Sequence, residues 1–145
     1  MSNSTIDFKG RVAIVTGAGG GLGRQHALAL AARGARVVVN DLGGARDGSG
    51  GSVSAAQAVV DEIEAAGGEA MANGASVTDF EAVQAMVKQA VDAWGRVDIL
   101  VNNAGILRDK SFAKMELADF KLVVDVHLMG AVNCTKAVWA LMNEQ

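Results

Sequence analysis

The chain has 145 residues and a mass of 14.8 kDa, which is room for one domain. Half of its residues are hydrophobic, which excludes an intrinsically disordered chain, and a net charge of −3 indicates no basic surface for a nucleic-acid backbone. The single cysteine excludes an internal disulfide scaffold, and no apolar run reaches the roughly 20 residues that would span a membrane.

Short apolar runs alternate with segments of helical spacing along the chain. The runs predict strands at 12–15, 37–41, 69–72 and 97–101, and the other patterns predict helices at 22–33, 53–66, 80–94 and 118–142. Glycines at 34, 67–68 and 95 end the first three helices. Continuous apolar strands joined by helical crossovers indicate parallel pairing with burial on both faces. The sequence therefore predicts an α/β fold with a Rossmann-type, doubly wound parallel sheet of about four strands.

A glycine-rich turn, Thr16–Gly23, follows the first predicted strand and opens the first helix. A dinucleotide pyrophosphate needs backbone that it can approach closely, together with free N–H groups at a helix N-terminus. The spacing is T-G-x-x-x-G-x-G and not G-x-G-x-x-G. Arg24 and Gln25 follow the turn, so the Lys-Ser/Thr pair of a P-loop is absent. We therefore predict that this turn binds a dinucleotide, in preference to the alternative that it is a glycine-rich turn without a ligand.

Asp41 closes the second predicted strand. A carboxylate there accepts hydrogen bonds from the adenosine ribose hydroxyls and repels a 2′-phosphate. Arg24 and Arg46 are near in sequence and would weaken that repulsion if they turned toward it. We predict NAD in preference to NADP, and a second role of Asp41 as a turn cap is compatible with this.

Three segments after predicted strands have more than one interpretation. The stretch 42–52 has no periodicity and is either a flexible surface loop or a flap over a ligand. The stretch 102–105, of sequence N-N-A-G, either braces neighbouring backbone or forms a wall of the dinucleotide site. Ser76 and Val77 are predicted at the same carboxyl edge of the sheet, where a valine suits the flat face of an adenine.

The sequences TGAGGGLG and NNAG, with the acidic end of the second strand, closely resemble the short-chain dehydrogenase/reductase family from about residue 8 onward. This resemblance implies a Rossmann fold that binds NAD or NADP and transfers hydride between the nicotinamide and a carbonyl or alcohol. VVVNDLGG, ANGASV and VNNAGILRDKSF more narrowly resemble the (3R)-hydroxyacyl-CoA dehydrogenase modules of peroxisomal multifunctional enzymes type 2 and their bacterial relatives. The narrower resemblance implies NAD and a small-molecule acyl-thioester substrate.

The resemblance also implies roles for individual residues. The residues expected at the pyrophosphate are Gly17, Gly21, Leu22 and Gly23. Asp41 is expected at the adenosine ribose, and Ser76 and Val77 beside the adenine. The residues expected along the cofactor toward the nicotinamide are Asn103, Ala104 and Gly105. No metal ligand is expected.

Two departures from the family pattern limit the catalytic prediction. His127 stands where the family has an asparagine of a proton relay, and it is interpreted either as a relay or as a helix residue packed on the next strand with one nitrogen bonded. The family's catalytic serine and Tyr-x-x-x-Lys pair have no counterpart, since the chain contains no tyrosine and stops at Gln145, before the strand and helix on which the family carries them. We therefore expect no catalytic residue in this chain other than His127. Residues 1–145 are interpreted as the N-terminal dinucleotide-binding part of a single, incomplete short-chain dehydrogenase domain.

The apolar face of the last predicted helix is expected to need a partner. Its members are Val123, Val126, His127 and Val132, and the edge of the fourth strand lies beside it. We expect a homodimer or tetramer, or the missing half of the same enzyme, to cover these surfaces. The alternatives to a hydroxyacyl-CoA dehydrogenase are a non-catalytic NAD-binding sensor or scaffold, and a reductase of ketoacyl carrier protein or steroid. We expect a bacterial cytoplasmic location, with a peroxisomal address left open and no nucleic-acid or membrane partner.

Overall fold

The computed structural model of the chain describes residues 6–44 and 54–145. Its strands are β1 (Val12–Val15), β2 (Arg36–Asn40), β3 (Glu69–Asn73) and β4 (Ile99–Val101). Its α-helices are α1 (Gly21–Ala32), α2 (Ser54–Ala65), α3 (Phe80–Trp94), α4 (Leu117–Val124) and α5 (Gly130–Glu144). A short 3₁₀-helix spans Phe112–Lys114, and a π-helical turn, the π-turn, spans Asp125–Met129.

The four strands form one parallel sheet in the order β3-β2-β1-β4. Helices α1 and α2 cover one face, and α3 and α5 cover the other, so each face has its own apolar core. Every residue of β1 is completely buried, as a continuous apolar strand at the centre of a doubly wound sheet requires. The predicted fold class and strand number are confirmed.

The predicted helix ends are also confirmed. Gly34, Gly67 and Gly95 have φ angles of 95°, 86° and 79°, the left-handed conformation that an L side chain rarely adopts. Gly95 is the C-cap of α3, and its N–H bonds to the Val91 carbonyl at 2.8 Å. These glycines let the chain reverse toward the following strand.

The fourth strand begins at Ile99 and not at the predicted Val97. The Gln145 side chain accepts from the Val97 N–H at 3.1 Å and donates to the Val97 carbonyl at 2.7 Å. The Asp98 carboxylate accepts the Val12 N–H at 2.9 Å. Side chains thus bond to the Val97 backbone and to the Val12 N–H, while the Asp98 N–H donates to the Val12 carbonyl at 2.8 Å, and only three residues of the apolar run pair as a strand.

The long helix predicted at 118–142 is divided by the π-turn into α4 and α5. A single π-turn inserts one extra residue into a helix and shifts the faces on either side of it. His127 lies at the centre of the π-turn. The extra residue aims this side chain toward the loop that follows β4.

An apolar stripe remains exposed on α4, the π-turn and α5. Its members are Leu117, Phe120, Leu128, Val132 and Trp139. Of the apolar face expected from the sequence, Val132 and His127 are exposed, whereas Val123 and Val126 are half-buried because they turn toward the protein. Among residues 6–44 and 54–145, no helix has the length and hydropathy to cross a membrane.

A carboxylate at the start of β4 ties the amino-terminal edge of the sheet together. Asp98 accepts from the guanidinium of Arg96 at 2.8 Å and from that of Arg11 at 3.1 Å, in addition to the Val12 N–H. The hydrogen bond from Arg96 contributes most to lowering the pKa of Asp98 from 3.8 to about 2. The folded protein therefore holds Asp98 charged at pH values where the unfolded chain protonates it.

We predict that Asp98→Asn lowers the free energy of unfolding at neutral pH. The gap between wild type and variant in this free energy is expected to narrow as pH falls. Because the folded-state pKa is depressed, the stabilisation is complete above pH 3.8 and is lost as pH falls toward 2. Denaturant unfolding followed by circular dichroism over this range measures the gap. Asp92→Asn, on an exposed face of α3, controls for loss of a negative charge. A gap that is constant across the range contradicts the prediction.

Candidate functional site

A cleft of about 360 Å³ lies at the carboxyl ends of the strands. It is lined by eight of the ten residues predicted to bind a cofactor: Gly17, Gly21, Asp41, Ser76, Val77, Asn103, Ala104 and Gly105. Leu22 and Gly23, the other two, lie on α1 and outside the lining. A larger hollow of about 680 Å³ lies at the opposite edge of the sheet and contains none of the predicted residues. Ligands of open α/β sheets bind at the carboxyl edge, so the smaller cleft is the candidate site.

The glycine turn leaves open space on the side that faces the cleft. A Cβ built on Gly20 or on Gly21 meets no atom within 4 Å, and Gly21 has a φ of 53°. The first helical hydrogen bond runs from the Arg24 N–H to the Gly20 carbonyl at 3.0 Å, so α1 itself does not use the earlier N–H groups of its first turn. Open backbone and free N–H groups together suit an anionic group such as a pyrophosphate.

Two other glycines of the turn are required by the protein's own packing. A Cβ on Gly17 would lie 2.8 Å from the Ala104 Cα, and Gly17 also has a φ of 62°. A Cβ on Gly23 would lie 2.3 Å from the Gly17 carbonyl oxygen and 2.4 Å from Asn103 Nδ2. Gly23 therefore lies beneath the turn and lets α1 approach it, whereas the open side of the cleft belongs to Gly20 and Gly21.

The Asp41 carboxylate is fixed at the rim of the cleft, directly after β2. Oδ2 accepts the Gly19 N–H at 2.8 Å, and Oδ1 accepts the Gly43 N–H at 2.6 Å. Arg24, one of the two arginines near in sequence, turns away to pair with Glu62. Arg46 lies outside the described residues, as does the part of the predicted flap from 45 to 52. Among the described residues, no cation that would attract a 2′-phosphate pairs with Asp41.

Thr16 and Asn103 join the glycine turn to the segment after β4. The Thr16 hydroxyl accepts the N–H groups of Asn103 and Ala104, each at 3.0 Å, and donates to the Val101 carbonyl at 3.3 Å. The Asn103 side-chain amide donates to the carbonyls of Thr16 and Gly17 at 3.0 and 3.1 Å. The side-chain amide of Asn103 thus braces the backbone of the glycine turn, and Asn103 is also one of the residues that line the cleft.

His127 contacts the loop after β4. Nε2 lies 3.0 Å from both the N–H and the carbonyl oxygen of Ile106, which itself lines the cleft. A Cβ on Gly105 would lie 2.7 Å from the imidazole, so this glycine admits the ring. The geometry gives His127 a positioning contact with the cleft wall, and the relay role stays a prediction.

Sequence reasoning missed Asn40, which is 1% exposed and lines the cleft. Its carbonyl accepts the Ala18 N–H of the glycine turn at 2.8 Å, and its side chain donates to the Ala75 carbonyl at 2.9 Å. A polar residue after three valines in a buried strand was the available signal, because a buried amide needs partners.

The one cysteine of the chain is a poor candidate for a catalytic nucleophile. Burial raises the pKa of the Cys134 thiol to about 11, so it is protonated and unreactive at neutral pH. Within residues 6–44 and 54–145, no three His, Cys, Asp or Glu side chains are grouped to hold a metal ion. What the cleft provides is an anion-binding turn, a fixed carboxylate and an apolar wall, which together can bind a dinucleotide.

Comparison with known proteins extends the likeness to nearly the whole chain. The family described as short chain dehydrogenase matches residues 11–145. The chain is 56% identical over 144 residues to a peroxisomal multifunctional enzyme type 2 of Drosophila melanogaster, covering 99% of this chain and 24% of that protein. It is 55% identical over 140 residues to a peroxisomal hydratase-dehydrogenase-epimerase of Saccharomyces cerevisiae, covering 97% of this chain and 15% of that protein.

A solved structure of a dehydrogenase shares the fold of this chain. A 7α-hydroxysteroid dehydrogenase complexed with NADH and 7-oxo glycochenodeoxycholic acid matches with a TM-score of 0.84 and 36% identity. The match covers 95% of this chain and 50% of that one. The chain therefore spans half of this dehydrogenase and a quarter or less of the two multifunctional relatives.

Proposed function

Because this chain belongs to the short-chain dehydrogenase family, we propose that it is the cofactor-binding part of an NAD-dependent oxidoreductase. The proposed reaction interconverts a 3-hydroxyacyl-CoA, or a similar secondary alcohol, and its 3-oxo form. The observation that carries the proposal is the pairing of an open glycine turn with the fixed Asp41 carboxylate at one cleft. A bound nicotinamide dinucleotide supplies the hydride chemistry.

The cleft favours NAD over NADP for an electrostatic reason. Asp41 is held by two backbone N–H groups, so its charge cannot swing away from a 2′-phosphate. Arg24 is paired with Glu62 and does not offset that charge. Ribose hydroxyls donate hydrogen bonds to a carboxylate, whereas a phosphate at the same place is repelled.

The remaining walls of the cleft fit the rest of the dinucleotide. Val77 is an apolar side chain beside the ribose end, and it suits an adenine face. Ala104, Gly105 and Ile106 lead from the glycine turn toward the expected nicotinamide position. His127 holds the last of these residues in place through its backbone.

The acyl-thioester substrate is proposed from the names of the relatives and the resemblance of the sequence motifs. The printed names include a multifunctional enzyme type 2 and a hydratase-dehydrogenase-epimerase, both peroxisomal. A steroid substrate is the second candidate, because the solved structure with 36% identity carries a bile-acid ketone. The 145 residues contain no tyrosine, so they do not supply the phenolic acid/base of the family.

Calorimetric titration of the full chain with NAD and with NADP tests the proposal. We expect binding of NAD and at least tenfold weaker binding of NADP, which corresponds to about 1.4 kcal/mol. NADH formation from a 3-hydroxyacyl-CoA, with a hydroxysteroid as the competing substrate, tests the reaction in a protein that joins this chain to a segment with the family's serine and Tyr-x-x-x-Lys pair, because the 145 residues contain no tyrosine. If neither NAD nor NADP binds, the proposal is contradicted. NAD binding by a protein in which no Tyr-x-x-x-Lys pair accompanies this chain favours the sensor or scaffold.

We also propose that the apolar stripe contacts a second copy of the protein. Its two members on α5, Val132 and Trp139, are exposed, and Trp139 is 61% exposed, whereas Cys134 and Val138 of the same helix are buried in the core shared with α3. Exposed apolar surface of this kind marks an interface in soluble proteins. Mass in solution by light scattering tests this, and a monomer contradicts it. The bacterial cytoplasmic location also stays a proposal, beside relatives whose names say peroxisomal.

A further inference from the structure

Residues 75–78 form the adenine wall, a name that rests on the proposed function. This segment connects β3 to α3, has no regular secondary structure, and lines the cleft opposite the glycine turn. Irregular backbone is held in one place only by contacts from its neighbours. The position of the wall is therefore set by the groups that bond to its N–H and carbonyl groups.

One set of contacts comes from the sheet. The Asn40 amide donates to the Ala75 carbonyl at 2.9 Å and to Asn73 Oδ1 at 3.0 Å. Asn73 Oδ1 also accepts the Ala75 N–H at 2.9 Å. Two side chains at the ends of β2 and β3 thus fix the beginning of the adenine wall.

A second set comes from α5, on the other side of the wall. The Asn133 amide donates to the Val77 carbonyl at 2.9 Å across 56 positions of sequence. Gly130, one turn earlier on α5, lies so close that a Cβ there would be 2.5 Å from Val77 Cγ2 and 3.1 Å from Val77 Cβ. Val77 is 7% exposed, so both its carbonyl and its side chain are fixed against the helix.

We infer that Asn133 and Gly130 are positioning residues for the adenosine half of the dinucleotide. Neither lines the cleft, and each acts through Val77. Asn133 fixes the position of the Val77 carbonyl by its hydrogen bond, and Gly130 sets how closely the Val77 side chain approaches α5. Helix α5, which carries two members of the apolar stripe, therefore also fixes the position of the adenine wall.

Binding of ADP-ribose to the full chain tests this inference, because ADP-ribose contains the adenosine half and lacks the nicotinamide. We expect Asn133→Ala to raise the Kd of ADP-ribose and of NAD about fivefold to tenfold, the effect of one lost hydrogen bond. Amide hydrogen exchange of the unliganded protein is expected to quicken at 76–79 and to stay unchanged in the middle of α3. Asn143→Ala, at an exposed asparagine of the same helix, is the matched control and is expected to change neither quantity.

Gly130→Ala is the second variant. Its added Cβ would push the Val77 side chain and so displace the adenine wall, whereas Asn133→Ala removes a hydrogen bond that holds the wall. We expect a higher Kd for ADP-ribose with little change in exchange at 76–79. If both variants fold and bind ADP-ribose with the wild-type Kd, the inference is overturned. Wild-type protein that binds neither ADP-ribose nor NAD overturns the proposed function itself, so the two failures are distinguishable.

Discussion

Gly23→Ala is expected to lower the free energy of unfolding by about 2–3 kcal/mol and to abolish measurable NAD binding. The added Cβ would lie 2.3 Å from the Gly17 carbonyl oxygen and 2.4 Å from Asn103 Nδ2. The oxygen cannot yield freely, because it accepts the Asn103 side-chain amide and because Gly17 is packed so closely on Ala104 that a Cβ built on it would lie 2.8 Å from the Ala104 Cα. The turn must therefore move as a unit away from α1. Denaturant unfolding measures the loss of stability, and calorimetric titration measures the loss of binding.

Gly20→Ala is the matched control for that substitution. A Cβ on Gly20 meets nothing within 4 Å, and its φ of −169° is extended backbone that alanine adopts without strain. We expect the free energy of unfolding to change by no more than about 0.5 kcal/mol. Because Gly20 lines the cleft, this variant is still expected to weaken NAD binding. Equal loss of stability in both variants would refute the packing role of Gly23.

The sheet and its helices were predictable from the sequence because their determinants are local. Three consecutive valines in β2 can be buried on both faces only in the middle of a parallel sheet. A glycine that follows a segment of helical spacing adopts positive φ readily and ends the helix there, as Gly95 does after α3. Apolar spacing, β-branching and glycine position therefore predicted the element order and the fold class.

The elements that were mispredicted depend on contacts between distant residues. The start of β4 is set by Gln145, which is 48 positions away from Val97 in sequence. The π-turn differs from an α-helix by one residue, and apolar spacing does not distinguish the two over a single turn. Hydrogen bonds to distant side chains accompany the late start of β4, and a one-residue change of helix geometry gives no signal in the apolar spacing.

In the candidate site too, the sequence predicted which residues lie there but not which partners their side chains bond to. The sequence placed Asn103 at the cleft, and it does line the cleft, but its side-chain amide bonds to the Gly17 carbonyl. Asn133 gave no signal, since a single polar residue on a helix is usually a solvated one. Sequence patterns predict which segments meet at a sheet edge, whereas the partner of each polar group follows from the packed structure.

Asp41→Asn is expected to raise the NADP/NAD ratio of kcat/KM, or of association constants, by about tenfold. The substitution keeps the shape of the side chain and removes the charge that repels a 2′-phosphate. The asparagine has one oxygen acceptor, so it cannot accept both the Gly19 and the Gly43 N–H as the carboxylate does. Affinity for NAD is therefore expected to fall as well, because the segment after β2 loses one anchor. Titration of the full chain with both cofactors gives the two affinities separately.

Asp61→Asn, on the exposed side of α2, removes the same charge away from the cleft and controls for the net charge of the protein. It is expected to leave the NADP/NAD ratio unchanged, since exposed charges more than about 10 Å apart are largely screened at ordinary salt. Raising the salt concentration should narrow the wild-type preference for NAD and leave the ratio of Asp41→Asn nearly constant. A salt dependence seen in wild type and not in Asp41→Asn would show that the carboxylate repels the 2′-phosphate. The anchoring of backbone by Asp41 would not produce such a salt dependence. If the ratio is the same in wild type and Asp41→Asn, the selection of NAD does not depend on this carboxylate.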